Sequence, residues 1–322
     1  MAAHPWVPAL ALLMACGLPA ALHAQTYPVK SIRVFVGFTP GAGIDIAIRL
    51  IGPKMSETLG QSIIVDNRPG AGGNIAVELG ARAPADGYTL TATGAPAAIS
   101  QSLYSKLGYD LLKDLEAVAL IASVSTLLVV HPSLPVRNIK DFVAIAKSRK
   151  GELTYATTGS GSTPHLTAEM LRMQTGIQIL HVPYKGTPPA LNDLIAGNVT
   201  FMFANILSVL PHVKSGRLRS LAITSAKRSA SAPDLPTAAE TYPGFESGSW
   251  YALFAPSGTP KDVVTRVNEA VNRATQSPEV RDKFIAQGAE LLSGTPQDAA
   301  AYTRAEVVKW GKVVKASGAR VD

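Results

Sequence analysis

Cysteine is almost missing from this chain, because Cys16 is the only one among 322 residues. Cys16 lies in an N-terminal segment that has the pattern of an export signal. The body of the protein is therefore expected to contain no disulfide and no thiolate. This expectation excludes thiol enzymes.

Long apolar runs are also lacking. The run from Val7 to Ala15 is too short to cross a bilayer, and no later run reaches the roughly 18 residues that a spanning helix needs. We therefore expect a soluble body.

Residues 1–24 contain no Asp, Glu, Lys or Arg, and they end in Leu22-His23-Ala24. This pattern predicts a signal peptide that is cleaved before Gln25. The alternative is a lipoprotein signal in which Cys16 becomes the lipidated first residue. Cleavage after Ala24 is favoured because a small residue stands at that cut.

Signatures of nucleotide and metal sites are missing. Gly41-Ala42-Gly43 matches the start of a dinucleotide fingerprint, but Ile46 occupies the position of the third Gly or Ala, and no P-loop Gly-Lys-Ser/Thr occurs. The body histidines lack the spacing of zinc ligands and are His131, His165, His181 and His212. We predict no cofactor and no metal.

The charge balance favours anionic partners. The chain carries 30 Lys and Arg against 23 Asp and Glu, a net charge of +7 that lies wholly outside residues 1–24. Basic and acidic residues are interleaved, so nucleic acid is not an expected partner, whereas small acidic molecules are.

Strands alternate with helices along the first third of the body, which predicts a mainly parallel sheet. The predicted strands cover residues 32–36, 62–66 and 88–92, and the predicted helices 44–59 and 75–83.

The apolar run 117–130 predicts a strand that passes into a second lobe, where a second α/β series follows. That series has predicted helices at 139–147, 165–174 and 188–196 and predicted strands at 153–157, 177–182, 199–203 and 218–224. Residues 232–250 are rich in Pro and Gly and predict an irregular return connection. Helices are predicted at 262–275, 278–287 and 296–316.

Two loops share one physical character. Pro40-Gly41-Ala42-Gly43 and Gly159-Ser160-Gly161-Ser162 each follow a strand and open directly onto a helix. Free backbone N–H groups and the positive end of the helix dipole make such a place suitable for an anion, although Gly and Ser also serve simply to start a helix. If the loops face each other across two lobes, a dicarboxylate could bridge them.

Single side chains near these loops have both structural and functional interpretations. Asp45 stands in the first turn of its helix, where it stabilises the dipole or orients the loop. Tyr184 and Trp250 could wall a pocket, and core packing is an equal alternative for Trp250. Asn205 follows a predicted strand and could offer its amide to a ligand at the mouth of the sheet.

The motifs in this order resemble the substrate-binding components of tripartite tricarboxylate transporters, the Bug or TctC family. The residues that carry the resemblance are Tyr27-Pro28, Phe38 to Asp45, Asp66 to Asn74, Asp86 to Leu90, Gly159 to Ser162 with His165-Leu166, His181 to Gly186, and Trp310.

The resemblance implies an α/β, two-lobed periplasmic binding protein of type II (Venus-flytrap) with a mixed, mainly parallel sheet in each lobe. We expect lobe 1 to comprise residues 25–124 and 248–322, and lobe 2 residues 125–247. It also implies a monomer that closes on a carboxylated solute and docks on a two-component membrane permease, without catalysis. By position, the implied ligand contacts are Phe38, Gly41, Ala42, Asp45, Thr93, Gly94, Ala95, Thr158, Ser160, Gly161, Ser162, His165 and Asn205.

Two positions depart from the family pattern. Ala204 stands where many members have an Asp that can pair with the ammonium group of an amino acid, so the expected ligand is a mono- or dicarboxylate without positive charge, with aromatic acids included. Ala42 replaces a frequent Gly and should narrow its loop.

Two other functions remain open from the sequence. One is an exported hydrolase that uses Ser160 with His165 or His181, although the residues around Ser160 do not form the Gly-x-Ser-x-Gly elbow. The other is a sensory protein that presents the bound solute to a membrane kinase.

Overall fold

The computed structural model describes residues 1–2, 27–225, 227–229, 232–286, 288–319 and 321. The described strands are β1 (Ile32–Val36), β2 (Ile63–Asn67), β3 (Thr89–Gly94), β4 (Leu115–Val130), β5 (Thr154–Thr157), β6 (Leu180–Pro183), β7 (Phe201–Asn205), β8 (Arg219–Ile223), β9 (Gly248–Pro256) and β10 (Ala289–Leu291). The described helices are α1 (Gly43–Leu59), α2 (Asn74–Ala81), α3 (Ala95–Leu103), α4 (Ile139–Ser148), α5 (Thr163–Thr175), α6 (Thr187–Ile195), α7 (Ile206–Lys214), α8 (Lys261–Gln276), α9 (Pro278–Ala286) and α10 (Pro296–Ser317). The signal peptide predicted at 1–24 lies almost wholly outside the described residues.

The strands form two sheets that share β4. In the first sheet β1 pairs in parallel with β2 and β3, while β9 is antiparallel to both β3 and β4. In the second sheet β5 pairs in parallel with β6 and β7, while β7 and β8 are antiparallel to β4. Each sheet and its helices make one lobe, as predicted.

Strand β4 connects the lobes. Its residues from Leu115 to Ser125 pair with β9, and those from Thr126 to Val130 pair with β7 and β8. The chain returns at β9, whose first residue Gly248 pairs with Ser125. Both sheets are mixed, as predicted. Because β4 and β9 run antiparallel to their neighbours, antiparallel pairing is more extensive than the sequence predicted.

The helices form where apolar side chains recur every three or four residues. In α1, Ile44, Ile48, Ile51 and Met55 are buried against the first sheet and α8. The helix ends at Gly60, which has a φ of 72° and donates its N–H to the carbonyl of Ser56 at 2.9 Å. Glycine suits this left-handed cap.

Several elements differ from the sequence prediction. Helices α3 and α7 and strand β10 were not predicted, and the segment expected to be irregular up to residue 250 already enters β9 at Gly248. Helix α3 has no side-chain cap at its start. It is also largely buried, so it lacks the polar face that marks an amphipathic helix. Within the described residues, no helix is long and apolar enough to cross a membrane.

Candidate ligand-binding site

A cavity lies between the lobes, and its empty space, together with the opening to solvent, amounts to about 550 Å³. Lobe 1 lines it with Phe38, Ala42, Gly43, Ile44, Thr93, Pro96, Ser249 and Tyr251. Lobe 2 lines it with Thr126, Thr158, Ser162, Thr163, Pro164, Thr187, Met202 and Asn205. None of these described lining residues carries a formal charge.

Five helices begin at this cavity. The first residues or the N-cap of α1 and α3 come from lobe 1, and those of α5, α6 and α7 come from lobe 2. Each helix N-terminus carries about half a positive charge and free N–H groups. The cavity therefore attracts an anion although its walls are neutral.

The first loop is held by a buried carboxylate. Asp45 is 2% exposed, and its Oδ2 accepts the N–H of Gly41 at 2.8 Å. Its Oδ1 accepts the amide of Asn67 at 2.9 Å, and Arg49 lies 3.0 Å from both oxygens. The same Asn67 amide donates to the carbonyl of Phe38 at 2.9 Å. Asp45 thus fixes the loop from behind and is not among the residues that line the cavity.

The second loop is held from behind by histidines. The N–H of Gly161 donates to Nδ1 of His165 at 3.1 Å, and Nε2 of His181 lies 2.7 Å from Oγ1 of Thr157. The two imidazoles stack with their centroids 4.4 Å apart. Burial lowers the pKa of His165, and burial together with the neighbouring His165 lowers the pKa of His181 to about 4. Both rings are therefore neutral near pH 7.

An unpaired hydroxyl at the start of α5 points to a ligand. Ser162 does not cap the helix and instead donates its hydroxyl to the carbonyl of Gly159 at 2.7 Å. Thr163 is 3% exposed, and within the described chain its hydroxyl has no hydrogen-bond partner. Buried polar groups are rarely left unpaired, so a partner in the cavity is expected for this hydroxyl.

The structure gathers six of the thirteen predicted contact residues on the cavity wall, namely Phe38, Ala42, Thr93, Thr158, Ser162 and Asn205. Asn205 is the last residue of β7 and caps α7 by accepting the N–H of Leu207 at 3.0 Å.

The other predicted contacts lie behind or beside the wall. Gly41, Asp45, Gly161 and His165 belong to the two supporting networks just described. Gly94 and Ala95 stand at the junction of β3 and α3, where a Cβ on Gly94 would overlap the carbonyl of Trp250. Ser160 lies in a neighbouring cleft of about 800 Å³ together with Tyr184 and Lys185. Direct contact of these residues with a ligand remains a prediction.

Two further candidates now have a position. Tyr184 walls the neighbouring cleft, which shares Phe38 and Thr158 with the cavity. Trp250 is 1% exposed, packs in the core of lobe 1 and does not line the cavity. Ala204 is fully buried and does not line the cavity. The lining residues as a group, rather than Ala204, leave an ammonium group without an acidic partner.

Ten lining residues were not among the thirteen predicted contacts. Some of them carry a sequence signal: Gly43 ends the first predicted loop, and Thr163 and Thr187 start helices. Those without one lie on or next to strands that are buried on both faces; Thr126, Ser249 and Tyr251 of β4 and β9 are examples. Only the pairing of these strands brings their side chains to the cavity.

The hydrolase interpretation finds no support in the geometry. His165 accepts from Gly161, and His181 bonds to Thr157, so within the described residues neither ring makes a hydrogen bond to Ser160. A serine nucleophile needs such a base in contact with its hydroxyl.

A sequence profile of the tripartite tricarboxylate transporter family receptor matches residues 47–319. The protein BugT of Bordetella pertussis is 38% identical over 308 residues, which are 95% of this chain and 94% of BugT.

Solved structures agree with this match. Rpa4515 from R. palustris with adipate is 40% identical and superposes with a TM-score of 0.89, covering 92% of this chain and 100% of the other. The periplasmic binding protein BugD is 33% identical, also with a TM-score of 0.89, covering 91% of this chain and 99% of the other. The chain therefore belongs to the tripartite tricarboxylate transporter receptor family and is a two-lobed solute-binding protein, not an enzyme.

Proposed function

We propose that this protein captures a small carboxylate without positive charge between its lobes and delivers it to a two-component membrane permease of the tripartite tricarboxylate type. The observation that carries the proposal is the neutral cavity at which five helix N-termini meet. A carboxylate gains the positive helix ends there, whereas an ammonium group would find no carboxylate on the wall.

A dicarboxylate fits the arrangement best. The starts of α1 and α5 come from different lobes, and both lie on the cavity wall, so each can hold one carboxylate. Rpa4515, which is 40% identical, is described with adipate, a dicarboxylic acid that lacks an amino group.

The proposed location is the periplasm, to which a signal peptide over residues 1–24 would direct the chain, with lipidation of Cys16 as the less favoured alternative. The proposed lobe boundaries stay at 124/125 and 247/248. The change of strand partner between Ser125 and Thr126 supports the first of them. A monomer remains the expected state.

A melting-temperature screen of organic acids tests the proposal. A ligand at a hundred times its Kd stabilises a protein by about 2.7 kcal/mol, so a binding acid raises the melting temperature measurably. Plain mono- or dicarboxylic acids should stabilise the protein, and calorimetry should then give the Kd. Tight binding of glutamate or aspartate, without binding of any plain dicarboxylic acid, contradicts the proposed ligand class.

Two glycines of α1 provide a matched pair of variants. A Cβ on Gly43 would lie 2.5 Å from the Tyr251 hydroxyl and 2.7 Å from the Asn205 side chain, at the cavity wall. A Cβ on Gly52 would meet nothing closer than 3.9 Å. Gly43→Ala should abolish the ligand-induced rise in melting temperature, and Gly52→Ala should retain it.

Delivery to a permease is tested in cells. Cells that lack this chain but keep the permease should take up less of the radiolabelled acid that binds in vitro. Equal uptake with and without the chain would contradict the transport role and leave solute binding intact.

A further inference from the structure

A hydrogen bond joins the two lobes inside the cavity. Tyr251 belongs to β9 of lobe 1, and Asn205 stands at the junction of β7 and α7 in lobe 2. The amide Nδ2 of Asn205 donates to the hydroxyl oxygen of Tyr251. Both side chains line the cavity, so this bond is part of the ligand-binding wall.

The helix cap fixes the direction of this bond. The Oδ1 of Asn205 accepts the N–H of Leu207 at 3.0 Å, which turns the amide nitrogen toward Tyr251. The phenol oxygen therefore acts as the acceptor, and its own proton remains available. No acceptor for that proton is found among the described residues.

The phenol stays protonated at physiological pH. Tyr251 is 5% exposed, and burial raises its pKa above the ordinary value of 10.0. A neutral phenol can donate a hydrogen bond to a carboxylate, whereas a phenolate would repel it.

Tyr251 also stands beside the start of α1. The position of a Cβ on Gly43 would be 2.5 Å from the Tyr251 hydroxyl. The phenol and the first N–H groups of α1 therefore reach the same end of the cavity, where we place one carboxylate.

We propose that Tyr251 is a ligand-binding residue whose hydroxyl donates a hydrogen bond to the ligand carboxylate. The hydrogen bond from Asn205 to Tyr251 couples that contact to closure of the lobes. This inference rests on the proposed function and assigns one donor of the site. Opening of the lobes would separate Asn205 from Tyr251. The bound ligand and the hydrogen bond between the lobes would therefore both favour the closed state.

The test uses adipate and Tyr251→Phe, which removes only the hydroxyl. The matched control is Tyr302→Phe in the same lobe, whose ring packs edge-on against Trp250 outside the cavity. Calorimetry should show an affinity loss of about tenfold or more for Tyr251→Phe, because hydrogen bonds to charged groups are stronger than average, and no loss for Tyr302→Phe. Small-angle scattering should show a smaller ligand-induced decrease in radius for Tyr251→Phe than for the wild type.

A double-mutant cycle with Asn205→Ala tests the coupling. The affinity loss of the double variant should be smaller than the sum of the two single losses, because the two groups act as one unit. Additive losses would overturn the coupling. A Tyr251→Phe variant that binds adipate within twofold of the wild type would overturn the contact. A wild-type protein that binds no acid in the screen would instead contradict the proposed function, and this inference with it.

Discussion

Thr163 shows how a single residue reports on a missing partner. Its hydroxyl is buried at the cavity without a hydrogen bond among the described residues, so removing it breaks no hydrogen bond within the described chain. Valine has nearly the same shape and no hydroxyl. Removing the hydroxyl should therefore weaken carboxylate binding without lowering the stability of the ligand-free protein.

We expect Thr163→Val to leave the melting temperature of the ligand-free protein unchanged or raised and to weaken carboxylate binding by about tenfold. Melting curves and calorimetry measure the two effects. Thr167→Val is the inverse control, because the Thr167 hydroxyl donates to the carbonyl of Thr163 at 2.8 Å and lies 2.6 Å from the Ser247 hydroxyl. That variant should lose stability and keep its affinity; an unchanged affinity in Thr163→Val would contradict the assigned contact.

At the scale of elements, β5, α5 and β6 are joined by an aromatic stack. Tyr155 of β5 lies with its ring centroid 4.9 Å from that of His181, which stacks on His165 at 4.4 Å. The Tyr155 hydroxyl donates to Glu169 at 3.0 Å, and Glu169 pairs with Arg172 at 2.7 Å. This stack supports the Gly161 loop through the His165 ring, and none of its three rings lines the cavity.

The stack should make stability depend on pH. The pKa of His181 is lowered from 6.5 to about 4 in the folded protein, because burial and the neighbouring His165 disfavour its charged form. Between these two values the unfolded chain binds more protons, so the free energy of unfolding should decrease as the pH falls from about 6.5 toward 4.

Urea unfolding at a series of pH values checks this prediction. His181→Gln should flatten the decrease below pH 6.5, because it removes the group that titrates. His131→Gln is the control, since His131 lies outside the stack and bonds to Ser133. A wild-type protein and a His181→Gln variant with the same pH dependence would show that His181 is not the group responsible.

At the scale of the whole molecule, small residues of the two lobes also lie in contact with each other. The Ser208 hydroxyl of lobe 2 lies 3.4 Å from the Gly41 carbonyl of lobe 1, and a Cβ on Gly186 would overlap the Thr39 side chain across the cleft. A larger residue at Gly186 should therefore hold the lobes apart.

Gly186→Ala should bind carboxylate at least tenfold more weakly and should show a smaller ligand-induced decrease in scattering radius than the wild type. Gly186 has a φ of 130°, so the variant also strains the backbone. Gly197→Ala controls for this strain, because Gly197 has a φ of 79° and its Cβ would meet nothing within 4 Å. If both variants lose stability and keep their affinity, steric closure at Gly186 is contradicted.

The sequence alone determined the alternation of strands and helices and the two glycine-rich loops that open onto helices. Local patterns suffice for these features, because glycine at a loop and apolar spacing along a helix act within a few residues. Residues such as Ala42, Ser162 and Asn205 could be predicted because they stand where a strand ends and a helix starts.

Only the tertiary structure decided which side chains face the cavity. His165 follows the second loop directly, yet it turns toward His181, because the face of a helix that meets its neighbours depends on how the helix packs. Tyr251 lies in a strand that is buried on both faces, so the sequence gives no sign of its special position. Its proposed role depends on Asn205, which is 46 residues away in the chain and belongs to the other lobe, and only the tertiary fold brings the two together.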